Sequence, residues 1–260
     1  MIHPPTRRDL FLYGLTTAAA SVLRAQSGRH SGSCVSWLHN HGCVLGQGLV
    51  AFYDFVPGAD PQVLYDRSGN GYHGQLGSTT GADTNDPAWL SPRGLQFGGH
   101  DYVTLPSSLP SMNNIQFTAM MRMSLQASSG YILTRGPSPL GDGWGISPVD
   151  VTTRYNGGNA YSMSYATALP TDGTVFTLTI VGGYSTTSAQ GTSFRAYSSL
   201  TDITGSETKT AAARGDEAKI PYIGRRDYGT TTYLSGTIYS LAWWARALPV
   251  AEIARMVRVI

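Results

Sequence analysis

The stretch Asp66-Arg67-Ser68-Gly69-Asn70-Gly71-Tyr72-His73-Gly74 decides the fold. Three glycines and an asparagine crowd one turn between two segments that read as strands. Gly and Asn tolerate positive φ, and Asp and Ser side chains hydrogen-bond nearby backbone, so the cluster predicts a tight, self-supporting loop. Upstream, the run from Leu49 to Phe55 is strand-like and is bounded by Gly48 and by Pro57-Gly58. Downstream, the run from Gly94 to Pro106 places Leu95 and Phe97, then Tyr102 and Leu105, in two short strand-like pieces about a Gly98-Gly99 hinge.

Farther along, Phe117, Ala119, Met121, Met123 and Leu125 fall on one face of an alternating run and Thr118, Met120, Arg122 and Ser124 on the other, the pattern of a half-buried strand. Thr153 to Tyr155 and Ala160 to Tyr165 predict a hairpin about Asn156-Gly157-Gly158-Asn159. Phe176, Leu178 and Ile180 are the core face of a further strand, whereas 184–192 and 199–217 read as polar surface loops. Pro249 to about Val259 predicts one short helix, with Ile253, Met256, Val257 and Ile260 at three- and four-residue steps.

In order, these blocks resemble the laminin-G-like, concanavalin-A-like lectin and glucanase superfamily. Its small bacterial members read GLVAYYxF, then DxSGNGNHG, then LxFxGxxDYVxLP, and end on FxGxIxxxxxxxRALsxxEI. Here the last block is Leu234 to Ile238, then Trp243-Trp244 and Arg246 to Met256. The resemblance implies an all-β fold, a two-sheet antiparallel jelly-roll sandwich over 48–260 with a short C-terminal helix. It implies many possible activities, because such sandwiches host unrelated sites. Relatives often hold calcium through carboxylate and backbone oxygens; Asp54, Asp66 and Asp101 lie in the matching blocks and are the candidate ligands, although Asp66 also suits a purely hydrogen-bonded loop.

Composition agrees with strands and tight turns. Glycine (31) and tyrosine (15) are abundant, and charged residues are only 13% of the chain. The net charge is +2; Arg7, Arg8, Arg24 and Asp9 fall in the first 25 residues, which leaves 15 basic and 15 acidic groups in the rest. A near-neutral domain without a basic stripe makes nucleic acid and anionic membrane poor partners. The pair Arg225-Arg226 reads as a solvated turn.

Residues 1–25 are similar to a bacterial twin-arginine export leader: Arg7-Arg8, one variable residue, then an apolar run from Leu10 to Leu23 too short to span a bilayer. An uncleaved anchor and an ordinary helix are the alternatives. Export would place the protein in the periplasm, at the cell surface or outside, where thiols oxidise. Within 26–47, Cys34 and Cys43 are the only cysteines, and a disulfide across that short loop would add about 3 kcal/mol. The competing reading is a metal held by His39, His41 and Cys43, which share one face of an extended strand.

Catalytic patterns are sparse. A retaining glycosidase on such a sandwich needs two carboxylates about 5 Å apart, yet of the three glutamates Glu207 and Glu217 fall in expected loops and Glu252 in the C-terminal helix, so no strand carries the alternating pattern, and Asp142 and Asp150 sit among turn residues. No GxSxG elbow appears, and His73 suits a structural hydrogen bond. For binding, aromatics with neighbouring amides and cations suit sugars; the candidates are Trp144, Tyr155, Asn156, Asn159, Tyr161 and Tyr228, with Trp144 and Tyr161 equally suited to the core. The sequence therefore points to an exported, non-catalytic domain that binds carbohydrate or an extracellular protein. The alternatives are a structural subunit of a surface layer, fibre or filament that self-assembles, and a divergent polysaccharide hydrolase or lyase.

Overall fold

The computed structural model describes residues 46–110, 116–136, 143–155, 158–184, 192–209, 220–226 and 232–260. The export-leader segment, Cys34 and Cys43, Asp142, Asn156 and Tyr228 lie outside the described residues.

Two antiparallel sheets enclose the core. The first runs in the order Thr201–Asp202, Thr192–Ser198, Val175–Tyr184, Phe117–Leu125, Ser235–Trp244, Leu95–Gly98, Ala88–Trp89, and Leu49–Tyr53 also pairs with Ser235–Trp244. The second runs Thr204–Lys209, Gly158–Tyr165, Asp150–Tyr155, Gly143–Ile146, Leu133–Arg135, Pro221–Ile223, Val103–Thr104, Gly74–Leu76, Val63–Leu64. The expected β-sandwich is therefore present. The Gly98-Gly99 hinge is where the chain changes sheet: Leu95–Gly98 pairs in the first and Val103–Thr104 in the second.

Register in the second sheet sorts side chains by parity. One row, Leu76, Val103, Ile223, Leu133, Ile146, Val151 and Met163, runs across seven strands and belongs entirely to the core. The neighbouring row, Gln75, Thr104, Tyr222, Thr134, Gly145, Thr152, Ser162 and Thr208, takes the opposite parity and forms the outward face. Facing the core row from the first sheet are Phe97, Met121, Met123, Leu178, Ile180 and Trp243, all at most 1% exposed.

The loop from Asp66 to Gly74 ties the first strand to this frame. Asp66 is 6% exposed. Its Oδ1 accepts the amides of Phe52 (3.0 Å) and Ser68 (2.8 Å), and its Oδ2 accepts the Ser68 hydroxyl (2.8 Å) and the Tyr72 amide (3.0 Å). Asn70 Nδ2 donates to the carbonyls of Leu49 and Val50, and His73 Nδ1 accepts the Asp66 amide at 3.0 Å.

Three expectations change. Phe117–Leu125 is buried on both faces except at Arg122, because helix α1 (Val250–Met256) packs over the outer face of the first sheet. Its Ile253 and Met256 join Leu49, Phe52, Met120, Tyr197, Ala242 and Trp244 in a second apolar cluster, and burying each such side chain contributes about 2 kcal/mol. Pro249 occupies the N-cap rather than the first turn. The segment Thr204–Lys209, expected as loop, is an edge strand on Gly158–Tyr165; its polar Thr-Gly-Ser-Glu-Thr-Lys sequence hides it from a hydrophobicity count, and charge on an edge also discourages further pairing.

Candidate functional site

Between Ile223 and Leu234 the chain leaves the second sheet as a two-stranded ribbon, Arg225–Arg226 against Thr232–Tyr233. Thr134, a member of the outward row, donates its hydroxyl to the Arg225 carbonyl at 2.8 Å, so the ribbon lies over that face. The Leu234 amide donates to Gly224 O (2.8 Å) and the Gly224 amide to Ile132 O (3.0 Å), closing its base. Gly130 makes the approach possible: its φ is +92°, and a Cβ there would stand 2.1 Å from the Tyr233 carbonyl oxygen. At Gly145 a Cβ would meet the Tyr131 ring at 2.6 Å, so glycine lets that ring lie on the sheet.

The ribbon assembles a cluster of cations and rings. The Arg225 guanidinium carbon lies 4.4 Å from the Tyr102 ring centroid and 5.1 Å from that of Tyr222. Arg226 stacks 5.0 Å over Tyr131, and its Nη1 donates to the Tyr131 hydroxyl at 3.1 Å. Tyr102 meets Tyr222 edge-on at 5.8 Å and lies tilted to Tyr233 at 6.5 Å, and His100 meets Tyr233 edge-on at 5.8 Å. Tyr102 is buried and His100 exposed, while Tyr131, Tyr222, Tyr233, Arg225 and Arg226 are half-buried. Each cation–ring contact at a partly exposed site contributes on the order of 1 kcal/mol.

This cluster corrects the reading of Arg225-Arg226 as a solvated turn. The two residues form a strand, and both are stacked. A sequence signal was present in Tyr222-Ile223-Gly224-Arg225-Arg226-Asp227-Tyr228, where aromatics interleave with cations, but the partners Tyr102 and Tyr131 are about a hundred residues away.

The sequence candidates are scattered. Trp144 is 5% exposed and meets Trp243 edge-on at 5.6 Å between the sheets, so it is a core residue and offers a ligand no face. Tyr155 pairs in register with Gly158, Arg154 with Asn159 and Thr153 with Tyr161, which confirms the expected hairpin. The Thr153–Tyr161 pair of that hairpin shares a register row, through Trp144, with Arg135 and Pro221, whereas Tyr131 and Arg225 belong to the opposite end of the second sheet.

The three aspartates expected to hold calcium serve turns instead. Both Asp66 oxygens are taken by four protein donors. Asp54 accepts the Val56 amide and pairs with Arg67 at 3.3 Å, and Asp101 Oδ2 accepts the Gly98 amide. A calcium ion would compete with these donors for the same oxygens. Among the described residues no group of three or more His, Cys, Asp or Glu side chains is placed to hold a metal. Asp83 is held down to about 2 by the Ser78 hydroxyl first and the Asn85 amide next. Its Oδ1 and that of Asp86 both face Gly77, and Gln62 Nε2 donates to Asp86 Oδ2 at 2.9 Å, which closes that loop.

No helix among the described residues is long and apolar enough to cross a membrane. No family model and no curated protein matches the sequence. Solved structures do match. Domain 4 of AbnA, a GH43 extracellular arabinanase from Geobacillus stearothermophilus solved in complex with arabinotriose, matches 80% of this chain and 98% of its own at 16% identity and a TM-score of 0.54. A structure of botulinum neurotoxin type C, described as entering cells through interaction with two ganglioside molecules, matches 83% of this chain and 52% of its own at 13% identity and a TM-score of 0.56. A Trypanosoma rangeli sialidase mutant with trans-sialidase activity matches 94% of this chain at 15% identity and a TM-score of 0.52, but the match spans only 38% of the sialidase. At these identities the likeness establishes the β-sandwich fold alone.

Proposed function

We propose that this chain is a non-catalytic glycan-recognition sandwich of the laminin-G-like, concanavalin-A-like kind, exported from the cytoplasm, with the Arg-Tyr cluster on the second sheet as its ligand contact. The observation that carries the reading is the half-buried cluster of Tyr131, Tyr222, Arg225, Arg226 and Tyr233 at the outward face of the second sheet. Aromatic and planar cationic groups held rigid at a surface bind polyhydroxylated ligands with little ordering cost. In the outward row the Gln75 amide and the Thr104 hydroxyl bond to backbone carbonyls and Thr152 is buried, while Ser162 is half-buried and Thr208 exposed, and no carboxylate occurs in that row. The arabinotriose of the arabinanase domain and the gangliosides of the neurotoxin show that sandwiches of this shape occur in sugar-binding proteins. The four sequence blocks from Gly48 to Met256 support the finer family placement, and the Arg7-Arg8 segment supports export.

A glycan array probed with the full chain tests the proposal. The expected result is binding to a restricted set of glycans, lost in Tyr131→Ala and Tyr222→Ala variants that keep the wild-type far-ultraviolet circular dichroism, with the glycans recovered uncleaved. Binding that survives both substitutions would move the site elsewhere, and a cleaved product would favour the hydrolase or lyase reading.

A further inference from the structure

We infer that Gln62, Asp83 and Asp86 form a calcium-binding site, separate from the Arg-Tyr cluster and independent of the glycan-binding role. Two bare oxygens carry the argument. Asp86 Oδ1 and Gln62 Oε1 are both shut off from solvent, and neither accepts a hydrogen bond. Burying an acceptor without a partner is costly, and more so when it bears charge. The two groups are joined, because Gln62 Nε2 donates to Asp86 Oδ2 at 2.9 Å, which leaves Oε1 as the free end of the amide. Asp83 brings a second carboxylate to the same place. Its amide donates to Asp86 Oδ2 at 3.0 Å, and a Cβ on Gly77 would stand 2.2 Å from Asp86 Oδ1 and 2.7 Å from Asp83 Oδ1. The two carboxylate oxygens thus converge beside Gly77, whose lack of a side chain lets them do so.

The charge there has no protein counterion. Among the described residues neither Asp83 nor Asp86 belongs to an ion pair. Two carboxylates held side by side repel each other, and a cation between them removes the repulsion while giving Asp86 Oδ1 and Gln62 Oε1 the partner they lack. The donor set is two carboxylates and a neutral amide oxygen, with neither imidazole nor thiolate, which suits a hard ion. Calcium fits better than magnesium, because it accepts irregular sets of about six to eight oxygens completed by backbone carbonyls and water, where magnesium demands a near-octahedral one. Asp83 Oδ1 accepts the Asn85 amide at 2.7 Å and can keep it, since a carboxylate oxygen has a second lone pair. Asp66 is the contrast: its oxygens already serve four donors, whereas an ion on Asp86 Oδ1 and Gln62 Oε1 displaces none. The loop also grips the backbone of Tyr102 from both sides. The Gly77 amide donates to the Tyr102 carbonyl at 2.9 Å, and the Tyr102 amide to the Asn85 carbonyl at 3.1 Å. An ion bound between Gln62 and this loop would therefore clamp that segment to the edge of the second sheet.

Calorimetric titration of the chelator-treated full chain with calcium chloride, at constant ionic strength, tests this. Binding should show a Kd of about 0.1 to 1 mM, the range of weak extracellular sites, and a tenfold excess of calcium over Kd should raise the melting temperature by about 3 to 6 °C. Asp86→Asn and Gln62→Met should each weaken binding about tenfold or more, while Asp54→Asn, at a carboxylate committed to Val56 and Arg67, should leave it unchanged. Terbium gives a readout that needs no variant. Its emission should be excited through Trp89, whose Nε1 donates to the Pro61 carbonyl next to Gln62 at 2.7 Å, and calcium should displace it. No binding at about 10 mM calcium would overturn the inference, as would unchanged affinity in folded Asp86→Asn and Gln62→Met. If those variants do not fold, terbium emission that calcium displaces upholds the site and emission that it does not displace overturns it. Glycan binding is read in a separate assay, so either proposal can fail alone.

Discussion

Replacing Asp66 tests the fold at the turn that organises it. The carboxylate is almost fully buried and accepts four hydrogen bonds between 2.8 and 3.0 Å, three from backbone amides and one from the Ser68 hydroxyl. A hydrogen bond to a charged acceptor contributes roughly 1.5 to 3 kcal/mol, but Ser68 and Tyr72 are partly exposed and water replaces part of what they lose. The Phe52 amide sits in the buried first strand and is compensated least. Asp66→Ala should therefore cost about 3 to 5 kcal/mol, and Asp66→Asn, which keeps one acceptor oxygen and turns an NH2 toward the other donors, about 2 kcal/mol. For a domain of this size that corresponds to a fall in melting temperature of about 10 °C for the alanine variant. Urea unfolding followed by tryptophan fluorescence measures it, with an unchanged m-value showing that only stability moved. A loss below about 1 kcal/mol for Asp66→Ala would refute the idea that this carboxylate holds the first strand to the loop.

Acid should weaken the Gly77-to-Asp86 loop. Asp83 is depressed from the ordinary carboxylate value to about 2 in the folded protein, so its contribution is present above about pH 4 and is lost as pH falls toward 2. Because the side chain is largely solvated the effect is a fraction of the full linkage value, and Asp83→Asn should flatten the stability profile over that window alone. Trp144→Ala should cost about 4 kcal/mol while leaving glycan affinity unchanged in the folded fraction; a selective loss of binding would show that the indole reaches the ligand. Gly145→Ala should push the Tyr131 ring off the sheet, weakening glycan binding severalfold in titration with little change in melting temperature. Burial holds Tyr165 well above the ordinary phenol range, so Tyr165→Phe should lessen the stability lost above about pH 10, where the unfolded chain ionises first.

The fold was legible because its signals are local. Asp66 to Gly74 contains its own donors, acceptors and permissive residues, and the alternation in Phe117–Leu125 and Val175–Tyr184 is carried by neighbours two apart. What was missed depends on distant partners. Met120 looked solvent-facing until α1, more than a hundred residues later, covered it. Thr204–Lys209 has no apolar alternation because an edge strand is held by backbone pairing. The candidate site was harder still. Trp144 was attractive as a lone tryptophan among glycines, yet those glycines exist so that neighbouring chain and rings can pack close to its strand. Arg225 and Arg226 looked like a turn because nothing in their own segment reveals Tyr102 and Tyr131.

Parity links the core to the cluster. Tyr222 faces outward only because Ile223 faces inward, and Thr134, which anchors the ribbon, faces outward only because Leu133 is in the core. A slip of one residue in Pro221–Ile223 would exchange the two rows, bury Tyr222 and remove the ring on which Arg225 rests. The apolar row therefore does more than stabilise the sandwich. Leu76, Val103, Ile223, Leu133 and Ile146 fix the register of five adjacent strands, and that register sets the positions of Tyr102 and Tyr222 beneath Arg225 and of Gly145 beneath Tyr131. A polar substitution in the middle of that row, at Ile223 above all, should disturb ligand binding as well as stability, because the same backbone alternation carries both.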